Sequence, residues 1–152
     1  MQRWTSDPLP VPTDPGEPWE HADLEFESLT HDGPSYTVVL FLNNPEVAED
    51  ASPDETPGFA GRFTVFAHGD CRGDAGHCDP PRGPLHTFDR RPLHPLTPIN
   101  VTVEITDSLR ALGPVDEVTV TALAHSTEPD KREDVLRFAR LTLITYDPPA
   151  TL

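Results

Sequence analysis

Both cysteines of this 152-residue chain, Cys71 and Cys78, fall in one glycine-punctuated loop, and His68 and His77 fall beside them. The stretch 59–79 reads FAGRFTVFAHGDCRGDAGHCD. Sulfur and imidazole gathered in this way suit a soft metal such as Cu(I), or zinc. Three chemistries are open at this loop. A disulfide between Cys71 and Cys78 would close a short ring and stabilise the fold by roughly 2–3 kcal/mol in the chain-entropy model. A metal site would join both thiolates to His68 or His77. Two reduced cysteines would be structural only. The Cys-x6-Cys spacing is not that of a zinc knuckle, and Asp70, Asp74 and Asp79 lack the spacing of an EF-hand calcium loop. His77 and Cys78 are adjacent, and neighbours on an extended chain point apart, which argues against a nucleophile–base pair. Residues 80–97 (PPRGPLHTFDRRPLHPLT) add His86 and His94 among prolines and three arginines. If that segment lies against the cysteine loop, the candidate metal ligands are His68, Cys71, His77, Cys78, His86 and His94.

The elements that would position these residues are strands. In residues 59–68, Phe63, Val65 and Ala67 share one side, while Arg62, Thr64, Phe66 and His68 share the other, which puts His68 at the strand's exit. Gly69, Gly73 and Gly76 then permit tight turns. Residues 35–43 (SYTVVLFLN) are apolar on both faces, as expected of an interior strand or one covered by another segment. Residues 98–106 (PINVTVEIT) alternate, with Ile99, Val101, Val103 and Ile105 facing in. Thr106 is expected to cap a short helix over 107–112, with Gly113 as its stop and Leu109 and Leu112 docked on the core. Further strands are expected over 21–30, 115–124 and 135–146, the last bent near Ala139 because its apolar parity changes there.

Nineteen prolines disfavour long helices and favour loops and edge strands. Neither βαβ units nor internal repeats occur. The expected fold is all-β: an antiparallel β-sandwich or jelly-roll-like barrel with one short helix and long proline-rich loops. Its expected parts are a proline-rich N-terminal arm (1–20) anchored by Trp4 and Trp19, a β-sandwich domain (21–147) and a C-terminal tail (148–152). Residues 45–58 read as a solvated acidic loop. The formal charge of −15, from 26 acidic against 11 basic residues, repels phosphate backbones and disfavours nucleic-acid partners. No apolar run approaches a membrane span. The N-terminus shows no basic region followed by an apolar stretch, so the expected compartment is the cytoplasm, or export in the company of a partner.

Three stretches carry a resemblance: residues 36–45 (YTVVLFLNNP), residues 59–78 from Phe-Ala-Gly to Gly-His-Cys, and residues 94–106 (HPLTPINVTVEIT), with 134–138 (DVLRF) closing the pattern. Their order resembles the C-terminal β domain of bacterial tyrosinase-family, or type 3 copper, proteins, which has relatives in plant polyphenol oxidases and hemocyanins. The resemblance spans roughly residues 35–147. The catalytic part of that family is a helical bundle holding a copper pair on histidines, and this chain has no histidine motifs on helices. The resemblance therefore implies an accessory domain standing alone, which would shield or help assemble a separately encoded tyrosinase-like enzyme. Fungal relatives handle copper through a cysteine motif in this region. That makes His68, Cys71, His77 and Cys78 candidate Cu(I) ligands, here with Cys-x6-Cys in place of Cys-x-x-Cys. Two other readings stand beside it. One is a small metal-dependent oxidative enzyme of a secondary-metabolite pathway, using His68, His77, His86 and His94. The other is a structural interaction domain with a disulfide.

Overall fold

The computed structural model describes residues 1–12, 19–67, 96–128 and 134–147. Strands β1 (Gln2–Thr5), β2 (Leu9–Pro10), β3 (His21–Leu29), β4 (Tyr36–Leu42) and β5 (Phe59–Val65) are followed by β6 (Ile99–Glu104) and helix α1 (Thr106–Ala111). Strands β7 (Glu117–Val118), β8 (Val120–Ser126) and β9 (Arg140–Tyr146) complete the described elements. All strand pairings are antiparallel. One sheet runs β1-β8-β4-β5, a second runs β6-β3-β9, and β2 pairs with β7 in a short ribbon. The fold is all-β, as the alternating apolar runs predict.

The two larger sheets pack face to face because each contributes one apolar side. Ala22, Leu24 and Phe26 of β3 are fully buried, as are Val38 and Leu40 of β4 and Ala122 and Ala124 of β8. All belong to one core. Phe26 crosses the layer, its ring centroid 5.2 Å from that of Phe63 on β5 and 5.1 Å from that of Phe138. Edge-to-face and tilted contacts of this kind add to the area term. Gly61 of β5 faces β6 closely enough that a Cβ there would lie 2.8 Å from the Val103 side chain.

β4 is an interior strand with both faces apolar, and its outer face is covered by the chain. Phe41 and Leu123 pack with Val47, and Val39, Ala51 and Phe59 surround them. Residues 45–58 are thus more than a solvated acidic loop: Val47 is buried, which holds the segment against the sheet.

Four local expectations differ from what forms. The N-terminal residues are extended, and β1 is hydrogen-bonded to β8 as a sheet edge, a strand pairing not expected within the anchored arm. Trp4 does anchor it, its ring 4.9 Å from Phe138. The stretch 115–124 is broken at Thr119, whose N–H donates to Asn43 Oδ1 at 2.8 Å while its carbonyl accepts from Asn43 N at 2.9 Å. The break sends β7 to β2 and β8 to β4. Asn43 makes both bonds from a left-handed conformation, φ 50°, which asparagine tolerates better than most residues. The last strand begins at Arg140. Leu136 before it exchanges hydrogen bonds with the Gln2 side-chain amide instead of a ladder partner. Finally, α1 starts at Thr106, with Ile105 as its N-cap. The Thr106 hydroxyl accepts the Ala22 N–H at 3.0 Å and donates to Glu104 Oε1 at 3.2 Å, so it ties the helix to β3 rather than capping it. Gly113 does end the helix, at φ +75°.

Candidate functional site

The predicted metal ligands His68, Cys71, His77, Cys78, His86 and His94 all lie outside the described residues, as does any pairing of the two cysteines. The structure does describe the residues that flank them. Val65 is buried at the end of β5, Phe66 turns outward with 83% of its surface exposed, and Ala67 packs on the core. This is the alternation expected of the strand's exit. The Ala67 N–H donates to Ser35 Oγ at 3.0 Å. On the far side, the carbonyl of Thr97 lies 2.8 Å from His31 Nε2. A carbonyl only accepts, so this contact selects the tautomer with the proton on Nε2.

Ser35 and His31 belong to the same connection between β3 and β4. Both described flanks, Ala67 and Thr97, are therefore fastened to one turn. That turn is braced by the Arg137–Asp32 ion pair and by the Tyr36 hydroxyl, which donates to Thr30 O at 3.4 Å. Tyr36 is 1% exposed. Burial pushes its phenol up to about 12, opposed by the Arg137 charge and reinforced by that of Asp32. Among the described residues, no three His, Cys, Asp or Glu side chains are gathered as a metal site.

A second group of polar side chains was not foreseen from the sequence. His21 stacks on Tyr146, ring centroids 5.4 Å apart, and its Nδ1 lies 3.5 Å from Glu104 Oε1. The Tyr146 hydroxyl donates to Asp23 Oδ2 at 3.1 Å. That bond, then burial and the nearby carboxylates, raises the Tyr146 pKa. Arg140 forks onto Glu27 through Nε at 2.9 Å and a terminal nitrogen at 2.7 Å. The sequence signal was the period-two series His21, Asp23, Glu25, Glu27. Its partners became visible only once strand register was fixed.

An open cleft of about 670 Å³ lies beside α1. Val11, Leu109 and Val115 contribute apolar wall, and Trp19 and Arg110 also line it. The Arg110 guanidinium lies 5.3 Å from the Trp19 ring centroid and donates to Glu20 O at 2.9 Å. It therefore orders the chain at Trp19 through a cation–π contact and a backbone bond. No helix among the described residues is long and apolar enough to cross a membrane.

No family model and no curated protein sequence matches this chain. Solved structures do. A recombinantly expressed latent aurone synthase (polyphenol oxidase) superposes with a TM-score of 0.59 at 12% identity, covering 97% of this chain. The latent aurone synthase (polyphenol oxidase) from natural source gives 0.58 at 15% identity, again over 97% of this chain. This chain spans only a quarter of the length of either. At such identities the likeness is one of fold: the β-sandwich described above is similar to a quarter-length portion of polyphenol oxidase chains.

Proposed function

We propose that this protein is an accessory or assembly domain that docks on a separately encoded tyrosinase-like catalytic unit. In this reading it handles copper through the Cys/His segment, with Cys71 and Cys78 as thiolate ligands and His68, His77, His86 and His94 supplying imidazole. The observation that carries the reading is the fold likeness, which accounts for nearly all of this chain and for a minor part of the polyphenol oxidases. A domain of that kind is built to sit against something larger. Among the described residues the helical structure is limited to α1 and a 3-10 turn at Pro53–Glu55. In this reading the copper pair is held on the catalytic unit. Thiolate with imidazole is a donor set suited to Cu(I). The fastening of both flanks, Ala67 and Thr97, to the β3–β4 turn supports ligands drawn from both arms.

Two experiments test this. Coexpression with a tyrosinase-like catalytic chain from the same genome is expected to give co-elution and a higher copper content in that chain. Separate elution with unchanged copper content overturns the docking. Titration of the reduced protein with Cu(I) against a competing chelator is expected to show tight binding that is lost in the Cys71→Ser/Cys78→Ser double variant. Equal binding by that variant removes the copper role.

A further inference from the structure

The two outer faces of the sandwich are finished differently. The outer side of the β1-β8-β4-β5 sheet is apolar at its centre, and the chain itself closes it: Phe41 and Leu123 lie under Val47. The Arg3 guanidinium fastens that covering segment by donating to Pro45 O at 2.6 Å. The outer side of the β6-β3-β9 sheet has no such cover among the described residues. Because Ala22, Leu24 and Phe26 point inward, His21, Asp23, Glu25 and Glu27 point outward along the middle strand. Register sets Glu104 opposite Asp23 and Thr102 opposite Glu25 on β6. On β9 it sets Tyr146, Ile144, Thr142 and Arg140 beside the same four residues.

This face holds four carboxylates and one guanidinium, and Arg140 is already engaged by Glu27. Asp23 and Glu104 are direct cross-strand neighbours of like charge. His21 lies beside Glu104 and the Tyr146 hydroxyl donates to Asp23, while Glu25 lies between Asp23 and Glu27 on the same face. The same face leaves Ile144 37% and Tyr146 42% exposed, two of the five large apolar residues that are exposed among those described. Exposed apolar side chains thus lie beside acidic groups on the one outer face the described chain leaves open, and such acidic groups suit a partner surface of opposite charge.

We propose that this outward face of β6-β3-β9 is the surface by which the domain docks on a basic face of the catalytic unit. The proposal rests on the function proposed above and adds its surface and its chemistry. The partner presents lysine or arginine opposite Asp23, Glu25 and Glu104, and apolar side chains opposite Ile144 and Tyr146. A second copy of this chain does not fit, because it would set acid against acid in a protein of net charge −15. Three strands about 4.8 Å apart and about 23 Å long give roughly 350 Å² of flat surface, less than half of the ~800 Å² that each side of a stable interface usually buries. The face is thus the electrostatic anchor of a larger contact, and the association is expected to weaken with salt.

The test measures binding of the purified full-length chain to the tyrosinase-like catalytic chain of the same genome, by calorimetry from about 0.05 to about 0.5 M salt. Glu25→Lys and Glu49→Lys change the net charge equally. Glu25 is at the centre of the proposed face, and Glu49 is exposed on the segment that covers the opposite sheet. Glu25→Lys is expected to weaken binding roughly tenfold or more at low salt, and Glu49→Lys less than about twofold. Thr102→Lys, which adds a charge to the face and removes none, is the second variant should Glu25→Lys fold poorly, and it is expected to weaken binding in the same sense. Equal effects from the two faces overturn the docking surface and leave the proposed function standing. Absence of binding by the unaltered protein at every salt concentration overturns the proposed function, and the surface with it.

Discussion

Gly58 stands where the segment covering the outer sheet turns into β5, the strand that leads to the Cys/His loop. Its φ is +84°, and a Cβ built there would lie 2.3 Å from the carbonyl oxygen of Leu42. The Gly58 carbonyl accepts the Leu42 N–H at 2.7 Å, so the two residues are clamped and neither can retreat alone. Gly58→Ala therefore has three effects. Left-handed backbone costs a residue with a Cβ about 1–2 kcal/mol. Relieving the collision breaks the Leu42–Gly58 hydrogen bond, and an unmade buried bond costs about 1–3 kcal/mol. The stiffer unfolded chain returns about 0.4–1 kcal/mol. The net is roughly 2–4 kcal/mol, a large fraction of the 5–15 kcal/mol typical of a domain. Gly113 supplies the control: its φ is +75°, but nothing lies within 4 Å of its added Cβ. Gly113→Ala carries only the backbone penalty less the unfolded-state gain, about 0.5–1 kcal/mol. Urea unfolding followed by the fluorescence of Trp4 and Trp19 is expected to move the midpoint by roughly 1–2 M for Gly58→Ala and by less than about 0.5 M for Gly113→Ala. Equal shifts would show that the Leu42 carbonyl yields at little cost and would refute the clamp.

Two further outcomes follow from buried hydroxyls. The Tyr36 phenol is raised from its ordinary value of 10.0 to about 12 by burial. The unfolded chain therefore ionises first, and the contribution of this tyrosine is fully present below pH 10 and is lost as pH rises towards 12. Stability measured across that window is expected to fall less steeply in Tyr36→Phe than in the unaltered protein, and parallel curves would contradict the assignment. Thr106→Val keeps the side-chain shape but strands the Ala22 N–H, for an expected loss of about 1–3 kcal/mol by denaturant titration, whereas Thr106→Ser retains the bond and costs less than about 1 kcal/mol.

The parts of the fold that could be read in advance were those fixed by local alternation. Leu24 and Phe26 shared a side and are both buried, and the two-sided apolar character of residues 36–42 marked an interior, covered strand. The helix stop at Gly113 was equally local, because it needs one residue able to take a positive φ. The errors arose where a side chain from far along the chain outcompeted a neighbour. Asn43 takes the Thr119 backbone out of what looked like one continuous strand, across a separation of 76 residues. Gln2 does the same for Leu136 across 134. No periodicity contains these bonds, because they depend on which strands are adjacent. The outward network of His21, Asp23, Glu104 and Tyr146 was hidden for the same reason: its members come from three strands and meet only through register. The proposed ligand segment was visible as chemistry, through its sulfur and imidazole, but not as geometry.

The sandwich would keep the two proposed tasks apart. The Cys/His segment leaves from Ala67 and returns at Thr97, both bound to the β3–β4 connection at one end of the layers. The acidic face lies along the strands themselves, with Glu25 at its middle and Thr102 and Thr142 on either side. A strand face is held by ladder hydrogen bonds on the middle strand and by the core beneath, so its charges stay in fixed positions relative to one another. That rigidity is what electrostatic recognition of a partner needs, since complementarity is lost when charges wander. Ligands that must take up and release a soft metal need the opposite, a backbone free to adjust around the ion. In the sequence, Gly69, Gly73 and Gly76 stand among the proposed ligands, and glycine is the residue that restricts a backbone least. Ser35 and His31 hold both described flanks to one turn. On the proposed reading, the prolines and glycines around the cysteines and the alternation of β3 from His21 to Glu27 would each suit its own task, one an adjustable ligand loop and the other a fixed charged face.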